Sequence, residues 1–119
     1  MLRRALGPGG PEVSALGIGA MSFAGFYGAV SKEESHAVLD TALDAGVDHI
    51  DTSNVYGMGT SEEIIGAFLK RYAGKGGSPF RIATKAGITR DPDTGARCFD
   101  NSAAHLEAEL DKSLKRLGL

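Results

Sequence analysis

The sequence of 119 residues holds a single cysteine, Cys98. One thiol cannot close an internal disulfide or build a cysteine-rich zinc site. A reducing, cytoplasmic setting is therefore the expectation. An excess of one charge is also lacking, with 13 Lys and Arg against 15 Asp and Glu and a net charge of -2. That balance gives no electrostatic footprint for nucleic acid or an anionic membrane surface. Apolar runs stay far below the ~20 residues that a membrane helix needs. Met1-Leu2-Arg3-Arg4 lead into Gly and Pro rather than an apolar stretch, so no signal peptide is expected. Glycine, by contrast, is plentiful: 17 residues are spread along the chain and predict many tight connections. The hydrophobic share of 42% and charged share of 24% are ordinary for a globular protein. The length suits one modest domain.

Arg3 to Leu6 and Glu12 to Ala15 flank Gly7-Pro8-Gly9-Gly10, which predicts a hairpin. Leu16 to Ala20 reads as a short buried strand, followed by a glycine-rich loop from Met21 to Val30. Ser31-Lys32-Glu33-Glu34 has the form of a capping box. The helix it opens carries Val38, Leu39, Ala42 and Leu43 on one stripe, and Gly46 is its natural stop. Val47 to Asp51 is the second strand. Thr60-Ser61-Glu62-Glu63 reads as a second capping box, ahead of a stripe of Ile64, Ile65, Phe68, Leu69 and Tyr72. Phe80 to Lys85 is the third strand, and a long polar loop is expected from Ala86 to Asp100. Asn101-Ser102 opens a third helix with Leu106, Leu110, Leu114 and Leu117 on one face and Gly118 at its end. Strands recurring about every 30 residues with helices between them imply a parallel sheet with right-handed crossovers. A barrel and a doubly wound sheet both satisfy that order.

Gly17-Ile18-Gly19-Ala20-Met21-Ser22 is a broken dinucleotide fingerprint. A Rossmann turn needs Gly or Ala in the last place and a helix starting at once. Here the last place is Ser and the helix cap waits until Ser31. Asp40, at the spacing of a ribose-binding acid, falls inside a helix.

Asp51 closes the second strand, Tyr56 sits on the loop after it, and Lys85 closes the third. Functional groups of parallel α/β folds gather at these C-terminal strand ends. Adjacent strands lie ~5 Å apart, so Asp51 and Lys85 are within reach of an ion pair. Taken singly, such an Asp is a turn former, such a Lys a solvated residue and such a Tyr loop packing. Together they have a chemical use. A phenol is a reluctant acid at neutral pH, and a neighbouring ammonium favours the phenolate. A carboxylate holds that ammonium in place.

Asp51-Thr52-Ser53-x-x-Tyr56-Gly57, Ser61-Glu62-Glu63 with Gly66, and Ala83-Thr84-Lys85 resemble the aldo-keto reductase family. The opening hairpin, Leu16-Gly17-Ile18-Gly19 and Ser113-Leu114-Lys115-Arg116-Leu117-Gly118 match as well, so the resemblance runs nearly end to end. It implies an α/β fold: an N-terminal β-hairpin followed by three βα units of a (β/α)8 TIM barrel, incomplete in this chain. Residues 1–119 would be the N-terminal part of a single NADP-dependent oxidoreductase domain. The resemblance implies NADPH as hydride donor to a small aldehyde or ketone. Tyr56 would be the general acid, Lys85 would ease its ionisation, and Asp51 would pair with Lys85. Gly19, Ala20 and Met21, with Asp51, would lie at the cofactor. Many members carry Thr where this chain has Ala20, so a hydroxyl contact is lost there.

The family's fourth catalytic residue is a His at the end of the fourth strand, beyond Leu119. His36 and His105 fall in helices and His49 inside a strand, so none replaces it, and no metal triad is expected among them. Alone, the chain is expected to be inactive and, with open sheet edges, prone to misfold or aggregate. Two other readings remain: a different barrel or flavodoxin-like enzyme, and a cofactor-binding regulatory module like channel-associated relatives. Aromatic Phe23, Phe26 and Tyr27 would either wall a substrate pocket or pack on the barrel rim.

Overall fold

The structure is a computed structural model describing residues 1–119. Strands β1 (Arg3–Ala5) and β2 (Glu12–Ser14) pair antiparallel as the opening hairpin. Strands β3 (Ile18–Gly19), β4 (His49–Asp51) and β5 (Arg81–Ala83) form a parallel sheet in that order. Their register puts Ile18, Ile50 and Ile82 in one row and Gly19, Asp51 and Ala83 in the next. The isoleucine row faces the core, with Ile50 fully buried. The next row marks the C-terminal end of the sheet.

Helices α1 (Lys32–Asp44), α2 (Thr60–Leu69) and α3 (Ala103–Leu117) lie along the chain between and after these strands. Ser31 caps α1 through both arms of its capping box with Glu34. The cap of α2 differs from the sequence expectation. Gly59, with φ of 100°, is the N-cap, and no side chain caps the helix. Gly57, Met58 and Gly59 all adopt left-handed φ, so the chain turns into α2 through backbone geometry instead. Thr60 Oγ1 donates to Gly57 O at 2.7 Å.

Two expected loops contain structure. Residues Ala20–Ala24 form a short 3-10 helix that buries Phe23 in the core. The stretch after β5 folds into a second antiparallel hairpin, β6 (Ile88–Arg90) with β7 (Arg97–Phe99). Its polar sequence lacked an apolar alternation, because neither face of this hairpin is fully buried.

Most of the core lies between the sheet and α1 and α2. Phe68 sits at its centre, against Phe80 and Tyr72, with ring centroids 6.1 and 5.7 Å away. Seven of the ten α2 residues are buried, because α1 and α3 flank it. At Gly66 a Cβ would lie 2.1 Å from the Arg116 carbonyl oxygen. That missing side chain lets the α3 backbone settle directly on α2. The contact uses Ser113 and Leu117, both buried. Leu106, Leu110 and Leu114 therefore turn away from the core and stay exposed. The four-leucine face read from the sequence is thus split by the close approach at Gly66.

The first hairpin docks through Asp48, just ahead of β4. One carboxylate oxygen accepts Ser14 N–H at 2.7 Å and the other accepts Arg3 Nη2 at 2.7 Å. Asp48 N–H donates to Ser14 Oγ at 3.1 Å. The Ser14 amide is the main cause holding the Asp48 carboxyl down to about 2; burial opposes it and Arg3 assists. The lowered folded pKa means this stabilisation is present above the unfolded value near 3.9 and is lost as pH falls through about 2. Asp48→Asn should lower the melting temperature at pH 6. The gap to the unsubstituted chain should close between pH ~4 and ~2. A gap that stays constant with pH would refute the carboxylate as the anchor.

Candidate active site

The sheet's C-terminal end brings Asp51, Tyr56 and Lys85 together. Lys85 Nζ lies 2.5 Å from Asp51 Oδ1 and donates to Thr52 O at 2.8 Å. It also lies over the Tyr56 ring, 5.2 Å from the centroid. Burial disfavours the Lys85 charge, but the bonded Asp51 carboxylate and nearby Tyr56 outweigh it and raise its pKa above the ordinary lysine value. The ammonium is therefore charged throughout the neutral range. Asp51 and Lys85 both stay open to solvent, as groups that meet a ligand must.

Backbone pairing continues past the strands and fixes these positions. Thr52 N–H donates to Ala83 O at 2.8 Å, and Asn54 N–H to Lys85 O at 3.1 Å. Ser53 Oγ donates to the same Lys85 carbonyl. Below them runs a buried hydroxyl relay. Ser61 Oγ donates to Ala20 O at 2.8 Å, so its single proton is used, and Thr52 Oγ1 donates to Ser61 Oγ at 2.9 Å. This relay ties the ends of β3 and β4 to the start of α2.

Glu62 holds the far side. Its carboxylate is fully buried, accepting Thr84 Oγ1 at 2.6 Å and Arg116 Nε at 2.6 Å. Thr84 immediately precedes Lys85, so one side chain links α2, α3 and the strand end that carries the ammonium. Glu62 lies inside the Thr60-to-Glu63 stretch without being either of its capping partners. Its position beside Ser61 in α2 was visible, but its partners lie 22 and 54 residues away.

The residues expected at a cofactor divide. Gly19 is exposed, and no atom lies within 4 Å of where its Cβ would be. Met21 lines a cleft of about 740 Å³ that Tyr56 also lines. Ala20 is fully buried, its methyl in the core and its carbonyl bonded to Ser61. Its side chain offers nothing to the cleft. Of the aromatic trio, Phe26 lines the cleft, Phe23 belongs to the core, and Tyr27 stacks edge-on against Phe26.

Asn54 and His105 also line the cleft. Asn54 Nδ2 donates to Glu109 at 2.7 Å, while Asn54 Oδ1 and His105 Nε2 are buried without a partner. Asn54 was visible only as an unspecified position in the motif before Tyr56. His49 instead packs over Gly17 near Ser14, behind the sheet's opposite end. His36 bonds Ile64 O at 3.0 Å.

The family model for the aldo/keto reductases matches residues 15–119. The chain belongs to the aldo/keto reductase family. It is 40% identical over 111 residues to aldo-keto reductase yakc [NADP(+)] of Schizosaccharomyces pombe, covering 93% of this chain and 32% of that protein. It is 35% identical to L-galactose dehydrogenase of Arabidopsis thaliana, over 98% of this chain and 34% of that one. Aldo-keto reductase AKR11C1 from Bacillus halodurans (holo form) superposes with a TM-score of 0.81 at 28% identity, over 99% of this chain and 37% of the other. The chain thus spans about a third of the length of these relatives. As in that family of oxidoreductases, its strands and helices make part of a barrel. None of its helices is long and apolar enough to cross a membrane.

Removing Arg116 would leave the Glu62 carboxylate buried and unpaired. Arg116→Ala should destabilise the chain by about 3 kcal/mol in urea unfolding. Replacing both residues, Glu62→Leu with Arg116→Met, should recover most of that loss. A single-variant effect below about 1 kcal/mol would show the carboxylate is compensated elsewhere.

Proposed function

We propose that residues 1–119 are the N-terminal part of a single NADP-dependent oxidoreductase domain that reduces a small aldehyde or ketone to an alcohol. The carrying observation is the Lys85 ammonium, bonded to Asp51 and set 5.2 Å over the Tyr56 ring, at the strand ends. NADPH, when bound, supplies a hydride to the carbonyl carbon. Tyr56 donates its phenol proton to the carbonyl oxygen as negative charge grows there. The Lys85 ammonium steadies the phenolate that remains, and a proton from water restores the phenol. Asp51 holds Lys85 in place and keeps it charged. Gly19, with open space above its Cα, suits the approach of a flat ring, and Met21 borders the same cleft as Tyr56.

About two thirds of the length of these relatives lies outside the stretch this chain matches. The outer edges of β3 and β5 are unpaired, and Leu106, Leu110 and Leu114 of α3 are exposed. The proposed reaction therefore belongs to the completed barrel in the cytoplasm, and these 119 residues by themselves are inactive.

In a chain that carries the rest of the barrel, Tyr56→Phe should abolish NADPH-dependent carbonyl reduction while leaving NADPH binding nearly intact. Unchanged turnover would remove Tyr56 from the acid role. For the 119 residues alone, NADPH should leave the melting temperature unmoved. A clear rise would show that these residues hold the cofactor without the rest of the barrel.

A further inference from the structure

The β6–β7 hairpin carries an arrangement that packing does not explain. Arg90 and Arg97 are directly opposite each other in its register. Bonds from Asp91 N to Ala96 O and from Asp100 N to Gly87 O place residues 91/96 and 87/100 at hydrogen-bonded sites. The alternation then makes Arg90/Arg97 a non-hydrogen-bonded pair, the type in which Cα atoms approach to about 4.5 Å. Like charges facing each other at that spacing destabilise a hairpin.

Nothing nearby neutralises the pair. Neither guanidinium has a carboxylate within 4.0 Å. The adjacent Asp91 spends its Oδ1 on Asp93 N, Thr94 N and Thr94 Oγ1 inside the turn. Arg90 Nη1 bonds only the Gly95 carbonyl, and Arg97 stands 5.6 Å over the Phe99 ring. Both arginines line the cleft that Tyr56 lines. The other two cations there are already matched, Lys112 by Glu109 and Arg116 by Glu62. The cleft is therefore lined by two guanidiniums without a carboxylate partner and by Tyr56.

We propose that Arg90 and Arg97 bind an oxyanion, a carboxylate or phosphate carried by the substrate at the end remote from its carbonyl. This rests on the reductase reading for the identity of the reacting group, but the anion site stands on its own geometry. Paired guanidinium forks match the flat, two-oxygen edge of such a group, and binding relieves their mutual repulsion. The cleft thus selects anionic carbonyl compounds over neutral ones.

The test compares 4-carboxybenzaldehyde with benzaldehyde, titrated into an isotope-labelled chain that carries the rest of the barrel and followed by amide shifts of residues 88–99. The acid should bind about tenfold more tightly, with the preference fading as salt is raised. In the Arg90→Gln/Arg97→Gln double variant that preference should fall below about threefold. The double variant should melt no lower than the unsubstituted chain, since a repulsive pair is removed. Equal affinity for the two aldehydes, or a preference that survives the double substitution, overturns the proposal. Hairpin shifts produced by NADPH but not by 4-carboxybenzaldehyde also overturn it, assigning the arginines to the cofactor. A second readout is the kcat/KM ratio for the two aldehydes in a chain carrying the rest of the barrel, which should show the same preference and the same loss. Because the titration needs no turnover, failure of the reductase reading leaves its outcome legible.

Discussion

A carboxylate with no solvent must be met by donors, and Glu62 is met from two sides. Thr84 reaches it from the end of β5 and Arg116 from α3. Because Glu62 lies in α2, three elements distant in sequence are fixed to one point. The consequences reach the candidate active site. Thr84 is held immediately before Lys85, and Lys85 then meets both Asp51 and the Tyr56 ring. Even Gly59 belongs to this arrangement, since a Cβ there would lie 2.8 Å from the Arg116 side chain on its way to Glu62. The left-handed turn from Gly57 to Gly59 is thus needed both by the backbone and by the arginine that passes it.

Around that point the strand ends are built from short-range rules. Parallel pairing carries on beyond the strands through Thr52 N–H and Asn54 N–H. The Thr52, Ser61 and Ala20 relay satisfies buried hydroxyls that would otherwise weaken the core. The result is a rigid floor with charged and phenolic groups standing on it. Rigid support beneath exposed functional side chains is what an acid with a set orientation requires. The hairpin from β6 to β7 contrasts with this floor. It carries its charge unneutralised and packs only lightly, which suits contact with a ligand rather than support.

Much of the fold was legible in local pattern. The Ser31 capping box, the stop at Gly46, the Ser102 cap and the three strand positions follow from neighbours in sequence, and the structure has them. The reading failed where distant partners decide. Thr60 and Glu63 have the spacing of a capping box, but left-handed glycines on the approach make the cap from backbone. Leu106, Leu110 and Leu114 have the spacing of a buried stripe, but Gly66 draws α3 onto α2 by another face. The β6–β7 hairpin gave no alternation because it has no buried side. Which atoms of the Gly19-Ala20-Met21 stretch pack inward is likewise a matter of distant partners, and the Ala20 methyl lies in the core.

The sequence by itself determined the family, through several spaced motifs in order, and named Asp51, Tyr56 and Lys85 as one chemical group. Spacing along a chain can do that because each strand end must return to the same edge of a parallel sheet. Only the tertiary structure decided which side chains support that group and which charges face the cleft beside it. Glu62, Thr84 and Arg116 meet across loops and helices, and Arg90 faces Arg97 across a hairpin whose register no local pattern records. Burial and charge compensation are properties of surroundings, and those surroundings exist only once the chain has folded.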